Sequence, residues 1–167
     1  MEMKAQEATA TERGAQQYLG FVLGEDAFGI DILRVQEIRG WEPVRALPET
    51  SAHVKGVLDL RGTIVPIVDL RIRFGAVDPV YEPTTVIVIA VVEAGAAGRQ
   101  LVGMVVDAVT GVIDATEAEI KSPPAMVGGV SSQYLRGMVS QGEQMTVLLD
   151  VDRIFSEEEW ARLDSLA

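Results

Sequence analysis

His53 is the single histidine of the chain, and Ser51 stands two residues before it. A serine nucleophile needs an imidazole base held against it in space and a carboxylate that orients that base. Local spacing inside "SAHVKG" supplies neither. The expectation there is one helical turn capped by Ser51, with His53 as a surface or capping residue beside Lys55. Asp150 and Asp152 are close, yet no Asp-x-Asp-x-Asp-Gly loop surrounds them, so Asp152 reads as a helix-capping or exposed residue. "VGGVS" lacks the lysine of a phosphate-binding loop, and no GxGxxG occurs. The absence of cysteine removes disulfides, thiolate metal sites and thiol nucleophiles. No catalytic residue, metal ligand or cofactor site is therefore expected.

The polar residues that stand out sit instead at a turn between apolar strands. In "VKGVLDLRGTIVPIVDL", Asp59, Arg61 and Gly62 interrupt a Val/Leu/Ile run. A hairpin tip at Arg61-Gly62 places a guanidinium at the end of a β-structure, where its fork suits a carboxylate. That carboxylate belongs either to this chain, as Glu37 or Asp59, or to a partner. A seam bounded by Val35, Glu37, Arg61 and Val86 would form a groove for an apolar helix.

Composition narrows the classes. The 167 residues are 48% hydrophobic but only 5% aromatic, so the core must be aliphatic. A formal charge of -11 and a pI near 4.5 oppose binding to nucleic acid or to anionic membrane surfaces. Basic residues between Arg34 and Arg73 are interleaved with acids such as Asp31, Glu49 and Asp69, which makes a mixed surface rather than a basic patch. No run approaches the roughly 20 apolar residues of a membrane span, and the N-terminus has no apolar signal region. These features suit a soluble cytoplasmic protein without direct membrane insertion.

The elements follow from patterning. Residues 1–16 read as a disordered tail. "YLGFVL" begins the strands, and "AFGIDILRVQEI" continues with Val35 and Ile38 sharing a face after a bend near Leu33. Pro66 places "TIVPIV" at a sheet edge or a bulge. Asp69 caps a short helix, "LRIRF", ended by Gly75. "TVIVIAVV" and "LVGMVVDAVTGVI" are further strands, the second a single long one. Thr116 with Glu119, and Ser156 with Glu159, form capping boxes, the latter opening a C-terminal helix over 157–166. The chain also repeats itself. Leu60-Arg61-Gly62 and Asp69 to Phe74 answer Leu135-Arg136-Gly137 and Asp150 to Phe155, and Gly29 answers Gly103. A mainly β fold of two small barrels around a shared apolar seam follows, with subdomains near 18–75 and 85–155. The pattern leaves open whether strands cross between them.

"FGIDILRVQEIRGWEPV", "VKGVLDLRGTIVPIVDLRIRF", "TVIVIAVV", "LVGMVVDAVTGV" and "YLRGMV…MTVLLDVDRIF" together resemble the CheW family of chemotaxis coupling proteins over residues 18–166. The resemblance implies one CheW-like domain over 17–167, built of two five-stranded SH3-like β-barrels. It also implies a non-catalytic adaptor that bridges chemoreceptor (methyl-accepting) tips to the regulatory domain of the histidine kinase CheA, in the cytoplasm at membrane-associated receptor arrays. Copies of itself or array neighbours are further partners. Carried over by position, the receptor face comprises Val35, Glu37, Lys55, Gly56, Arg61 and Val86, and the kinase face Lys121 and Met126. Asp59 stands where asparagine is common in the family, and an acid there can hold Arg61 inward. The alternatives are a CheW-like adaptor of another kinase pathway, such as surface motility, or a small β-barrel enzyme or ligand-binding protein using Asp59, Arg61 and Asp69.

Overall fold

The computed structural model describes residues 15–46, 53–127 and 130–166. Most of the expected tail, and Ser51, lie outside them. Among the described residues the strands are β1 (Gln16–Leu23), β2 (Asp26–Asp31), β3 (Val35–Gly40), β4 (Val54–Leu60), β5 (Thr63–Asp69), β6 (Val86–Glu93), β7 (Arg99–Val106), β8 (Ala108–Ala115), β9 (Met126–Val127), β10 (Val130–Ser131), β11 (Leu135–Gln141) and β12 (Gln144–Leu149). Two α-helices follow the strand pairs, α1 (Leu70–Arg73) and α2 (Glu157–Leu166). Gln16 already pairs with Ala115, so β-structure starts inside the segment expected to be tail. Among the described residues no helix is long and apolar enough to cross a membrane.

One five-stranded sheet has the order β8-β1-β2-β12-β11 and the other β3-β6-β7-β5-β4, with β9 and β10 as a small ribbon. Neither sheet closes on itself among the described strands, so the expected barrels are two open five-stranded sheets. Each has the same plan. A central antiparallel hairpin (β1–β2, β6–β7) takes a parallel neighbour (β12, β5), which pairs with its own hairpin partner (β11, β4). Gly29 lies opposite Leu148 as Gly103 lies opposite Ile67, in keeping with the Gly29/Gly103 alignment. The other anchor of the repeat is offset from expectation. Gly137 faces Leu148 and Gly56 faces Ile67, so Leu135-Arg136-Gly137 matches Val54-Lys55-Gly56 and not Leu60-Arg61-Gly62.

The sheets exchange strands, a point that the sequence pattern leaves open. β2 leaves its sheet through a 3-10 turn at Ile32–Arg34, near the bend expected at Leu33, and continues as β3 in the other. β7 leaves at Asp107 and continues as β8, so the single long strand expected over 101–113 is broken there. Its break is held by polar groups. The Asp107 N–H donates to the Val22 carbonyl, and its carboxylate accepts from Gly24 N (2.6 Å) and Arg71 Nη1 (2.9 Å). At the other crossover the polarity is inverted: Arg34 donates to both oxygens of Asp152 at 2.7 and 2.9 Å. Asp152 is thus a long-range partner of Arg34 rather than a cap, while Asp150 caps the turn at Val151–Arg153.

The two sheets share one apolar core. Phe21, Phe28 and Ile30 from one pack in the same cluster as Val88, Ala90 and Met104 from the other. Complete burial of one such side chain stabilises by about 1.5–3 kcal/mol. Pro66 is accommodated because β7 pairs only with Ile67 to Asp69 of β5, and because the carbonyl of its opposite residue, Val57, accepts from Arg45 N instead (3.1 Å). No ladder bond is lost at the proline.

The C-terminal helix opens on its expected box. Ser156 N donates to Glu159 Oε1 (3.0 Å) and Glu159 N to Ser156 Oγ (3.2 Å). His53, expected at the surface, is only 9% exposed, and its Nε2 lies 2.8 Å from Glu159 Oε2. Arg73 donates to both oxygens of the same carboxylate, at 3.2 and 2.9 Å. Burial alone would raise the Glu159 carboxyl, but the His53 contact, the Ser156 N–H and the charge of Arg73 outweigh it and hold it at about 2. A folded pKa below the ordinary value near 4.5 gives stability that is complete above that value and is lost as pH falls toward 2. Urea midpoints are expected to show wild type losing about 2 kcal/mol more than Glu159→Gln between about pH 5 and pH 2. Parallel curves for the two proteins would remove this latch.

Candidate interaction site

Arg61 and Gly62 form the two-residue turn of the β4–β5 hairpin, with φ of +51° and +90°. This is the primed-turn geometry that matches strand twist. An arginine in the left-handed region is strained, so something other than local preference sets it there. Asp59 does not hold the guanidinium. Its Oδ1 accepts from Gly62 N at 2.8 Å and so locks the turn. The guanidinium reaches β3, where Arg61 Nη2 donates to Glu37 Oε1 at 2.6 Å.

Arg61 remains 69% exposed while Glu37 is 27% exposed. A pair so placed contributes under about 1 kcal/mol to stability. Glu37 is also 3.9 Å from Arg39, which binds Glu42 at 3.2 Å. The outcome is a line of alternating charge along an edge strand, ending on a guanidinium with most of its surface free.

The remaining receptor-face residues divide. Val35 is half-buried and packs against the shared core. Val86 also packs there, but opposite Gly40, at the far end of the β3–β6 pair from Val35. Lys55 lies nearer that second end. Its ammonium sits 5.4 Å above the ring of Tyr81, which stacks on Trp41 at 4.3 Å, and Trp41 N bonds to Thr85 O (3.0 Å). Gly56 is buried at a bulge with φ +150°, where a Cβ would collide with the Arg45 carbonyl. It shapes the strand and presents no surface.

Two exposed apolar side chains neighbour the pair along the chain, Ile38 next to Glu37 and Ile64 three residues past Arg61, and neither is evident from the sequence. The bulge between Val35 and Glu37 sets Val35 opposite Ala90 and Ile38 opposite Val88, so these two share one face of the sheet, while Glu37 and Arg39 lie opposite Ile89 and Ile87 on the other; Ile38 is 44% exposed. Ile64, opposite Asp59 beside the Arg61 turn, is 51% exposed. The bulge that sets the face of Ile38 has no local sequence signal. Ile64 carries none either, because nothing in the run "TIVPIV" sets it apart from its apolar neighbours.

On the other sheet, Lys121 exchanges both backbone bonds with Met138 at 2.8 Å and extends the β11 edge, its side chain exposed. Met126 lies on β9 and is 57% exposed. Among the described residues no group of three or more His, Asp or Glu side chains gathers as a metal site.

Comparison with known proteins agrees with this architecture. Residues 17–159 match the CheW-like domain family. The chemotaxis protein CheW of Klebsiella aerogenes is 39% identical over 158 residues, covering 95% of this chain and 92% of its own. The probable chemotaxis protein CheW of Rhizobium etli is 35% identical, covering 88% and 92% of the two chains. A crystal structure of the scaffolding protein CheW from Thermoanaerobacter tengcongensis superposes with a TM-score of 0.76 at 28% identity, over 86% of this chain and 90% of that one. With the fold and these matches in agreement, the chain belongs to the CheW family.

Proposed function

We propose that this chain is a non-catalytic chemotaxis adaptor. It couples the cytoplasmic tips of chemoreceptors to the histidine kinase CheA and lets receptor state control the kinase, working in the cytoplasm at receptor arrays. The observation that carries this is the Glu37–Arg61 pair: a strained turn holds a mostly exposed guanidinium against Glu37, and Ile38 and Ile64 are exposed on the strands next to the two residues. A receptor helix would lay its apolar stripe on the isoleucines and offer a carboxylate to Arg61 in competition with Glu37. Lys121, bridged to β11 of the other sheet, and Met126, on the β9–β10 ribbon, are left to the kinase. Coupling then requires only that receptor states differ in affinity for the face, since a ligand shifts an equilibrium by its differential binding alone.

Arg61→Glu places two carboxylates where the pair stands. Isothermal titration with a receptor-tip fragment is expected to show at least about tenfold weaker binding, and the variant is expected to unfold within about 1 kcal/mol of wild type. Unchanged receptor affinity would take Arg61 out of the contact.

A further inference from the structure

The two pseudo-equivalent halves differ most after their last aromatic. Beyond Phe155 the chain forms α2, which lies on the β6–β7 hairpin: Trp160 is 4% exposed, its ring 4.9 Å from Phe155, and Glu157 covers Gly95. Phe74 is the pseudo-equivalent of Phe155, since both follow a capping aspartate by five residues (Asp69, Asp150). Beyond Phe74 there is no helix. Asp78 adopts φ +49°, and Pro79 stands where Trp160 stands in the other half, five residues past the phenylalanine. Prolines at 79 and 83 forbid the helical turn that the second half makes.

Among the described residues no helix lies on the β1–β2 hairpin, where Leu23 is 8% and Phe28 2% exposed. A cleft of about 610 Å³ opens there, floored by Leu23, Phe28, Phe74 and Val130. Val80 lines it and is 66% exposed, and the neighbouring Val77 is 85% exposed. Carboxylates of Asp26, Glu82 and Asp107 also line it. The one cation among the lining residues, Arg71, is already engaged by Asp69 and Asp107.

We propose that this cleft docks an amphipathic helix of a partner protein, one that carries a large apolar anchor and a lysine- or arginine-rich flank. The template is internal: on the pseudo-equivalent hairpin, this chain's own helix fills the same position with an aromatic side chain. The acidic lining selects the charge of the flank. A second copy's α2 fits poorly, because Glu157, Glu158 and Glu159 would meet those carboxylates. The chain's own residues 1–14 contain no aromatic and only Met1 and Met3 as large apolar residues, so they offer no anchor. The cleft shares no residue with the Glu37–Arg61 pair, and the proposal stands or falls separately from the adaptor reading.

The test uses the full-length protein and two capped peptides of residues 156–167. One has the natural sequence. The other carries Glu158→Lys, Ala161→Lys, Asp164→Lys and Ser165→Lys, which leaves Trp160 and the capping box in place. The basic peptide is expected to bind saturably and shift the amides of Leu23, Val80 and Val130, and the natural peptide to bind at least about tenfold more weakly. Val80→Lys and Glu82→Lys, both at exposed positions, are each expected to weaken the basic peptide at least about fivefold, with Gly40→Ala as an unaffected control. No saturation up to about 1 mM would overturn the proposal. So would equal binding of the two peptides, or shifts confined to β3 and the Arg61 turn. A dimer in sedimentation velocity that Val80→Lys dissolves would put a second copy in the cleft and overturn it as well.

Discussion

Asp69→Ala is expected to lower the unfolding free energy by about 3–5 kcal/mol, the cost of breaking a buried ion pair from one side. Asp69 has no exposed surface, and its carboxylate accepts four hydrogen bonds: Oδ1 from Arg71 N and Nε at 3.0 Å each, Oδ2 from Arg71 Nη2 and the Tyr81 hydroxyl at 2.9 Å each. Burial and the bond to Asp69 push the Tyr81 hydroxyl up to about 12, so it stays protonated and donates. Arg71 in turn reaches the Val80 carbonyl (2.7 Å) and Asp107 (2.9 Å). One carboxylate thus caps α1, pins the 76–84 segment and, through Arg71, holds the β7–β8 crossover. Its loss leaves a guanidinium that is 5% exposed with only the partly exposed Asp107 as counter-charge. Asp69→Asn keeps the shape without the charge and should fall between. Urea unfolding measures both. A cost under about 1 kcal/mol for Asp69→Ala would mean that water reaches this site and repays the missing bonds.

Gly56→Ala is expected to cost at least about 3 kcal/mol or to abolish folding, because strain at a positive φ and a backbone collision act together. The new methyl would meet the Arg45 carbonyl, whose oxygen accepts from Val57 N at 2.8 Å and closes the edge of β4. Neither neighbour is the end of a flexible side chain, so the backbone itself must move. Gly40→Ala is the control: it lies on β3 with no atom within 4 Å of the added methyl, and it should be close to neutral. Soluble yield and thermal midpoint read both. If Gly56→Ala folds with wild-type stability but loses receptor binding, Gly56 belongs to the contact and not to the strand.

Much of the fold is legible in the sequence because its local rules agree with its global plan. The paired glycines Gly29 and Gly103, the boxes at Thr116 and Ser156, and the β4–β5 turn all carry their signal in neighbouring residues. The strand exchange does not. Runs such as Ile30 to Val35 and Val102 to Val109 are largely apolar, and period alone cannot say that each ends in one sheet and resumes in the other. What decides it is a long-range pair, Arg34 with Asp152 or Arg71 with Asp107, 118 and 36 residues apart. The offset in the repeat has a related cause: the Leu-Arg-Gly spelling recurs, but the ladder aligns the bulged glycines Gly56 and Gly137. His53 looks exposed in its local sequence because its partner, Glu159, is 106 residues away. At the candidate site the charged pair can be named from the sequence, whereas the face that Ile38 takes depends on the bulge between Val35 and Glu37.

The most direct test of the adaptor reading is sedimentation velocity of the full-length protein with a receptor-tip fragment and the CheA regulatory domain, singly and together. The account predicts a complex with each and a larger species holding all three, with Arg61→Glu removing only the receptor from it. Mutually exclusive binding, or a folded protein that binds neither, would contradict it.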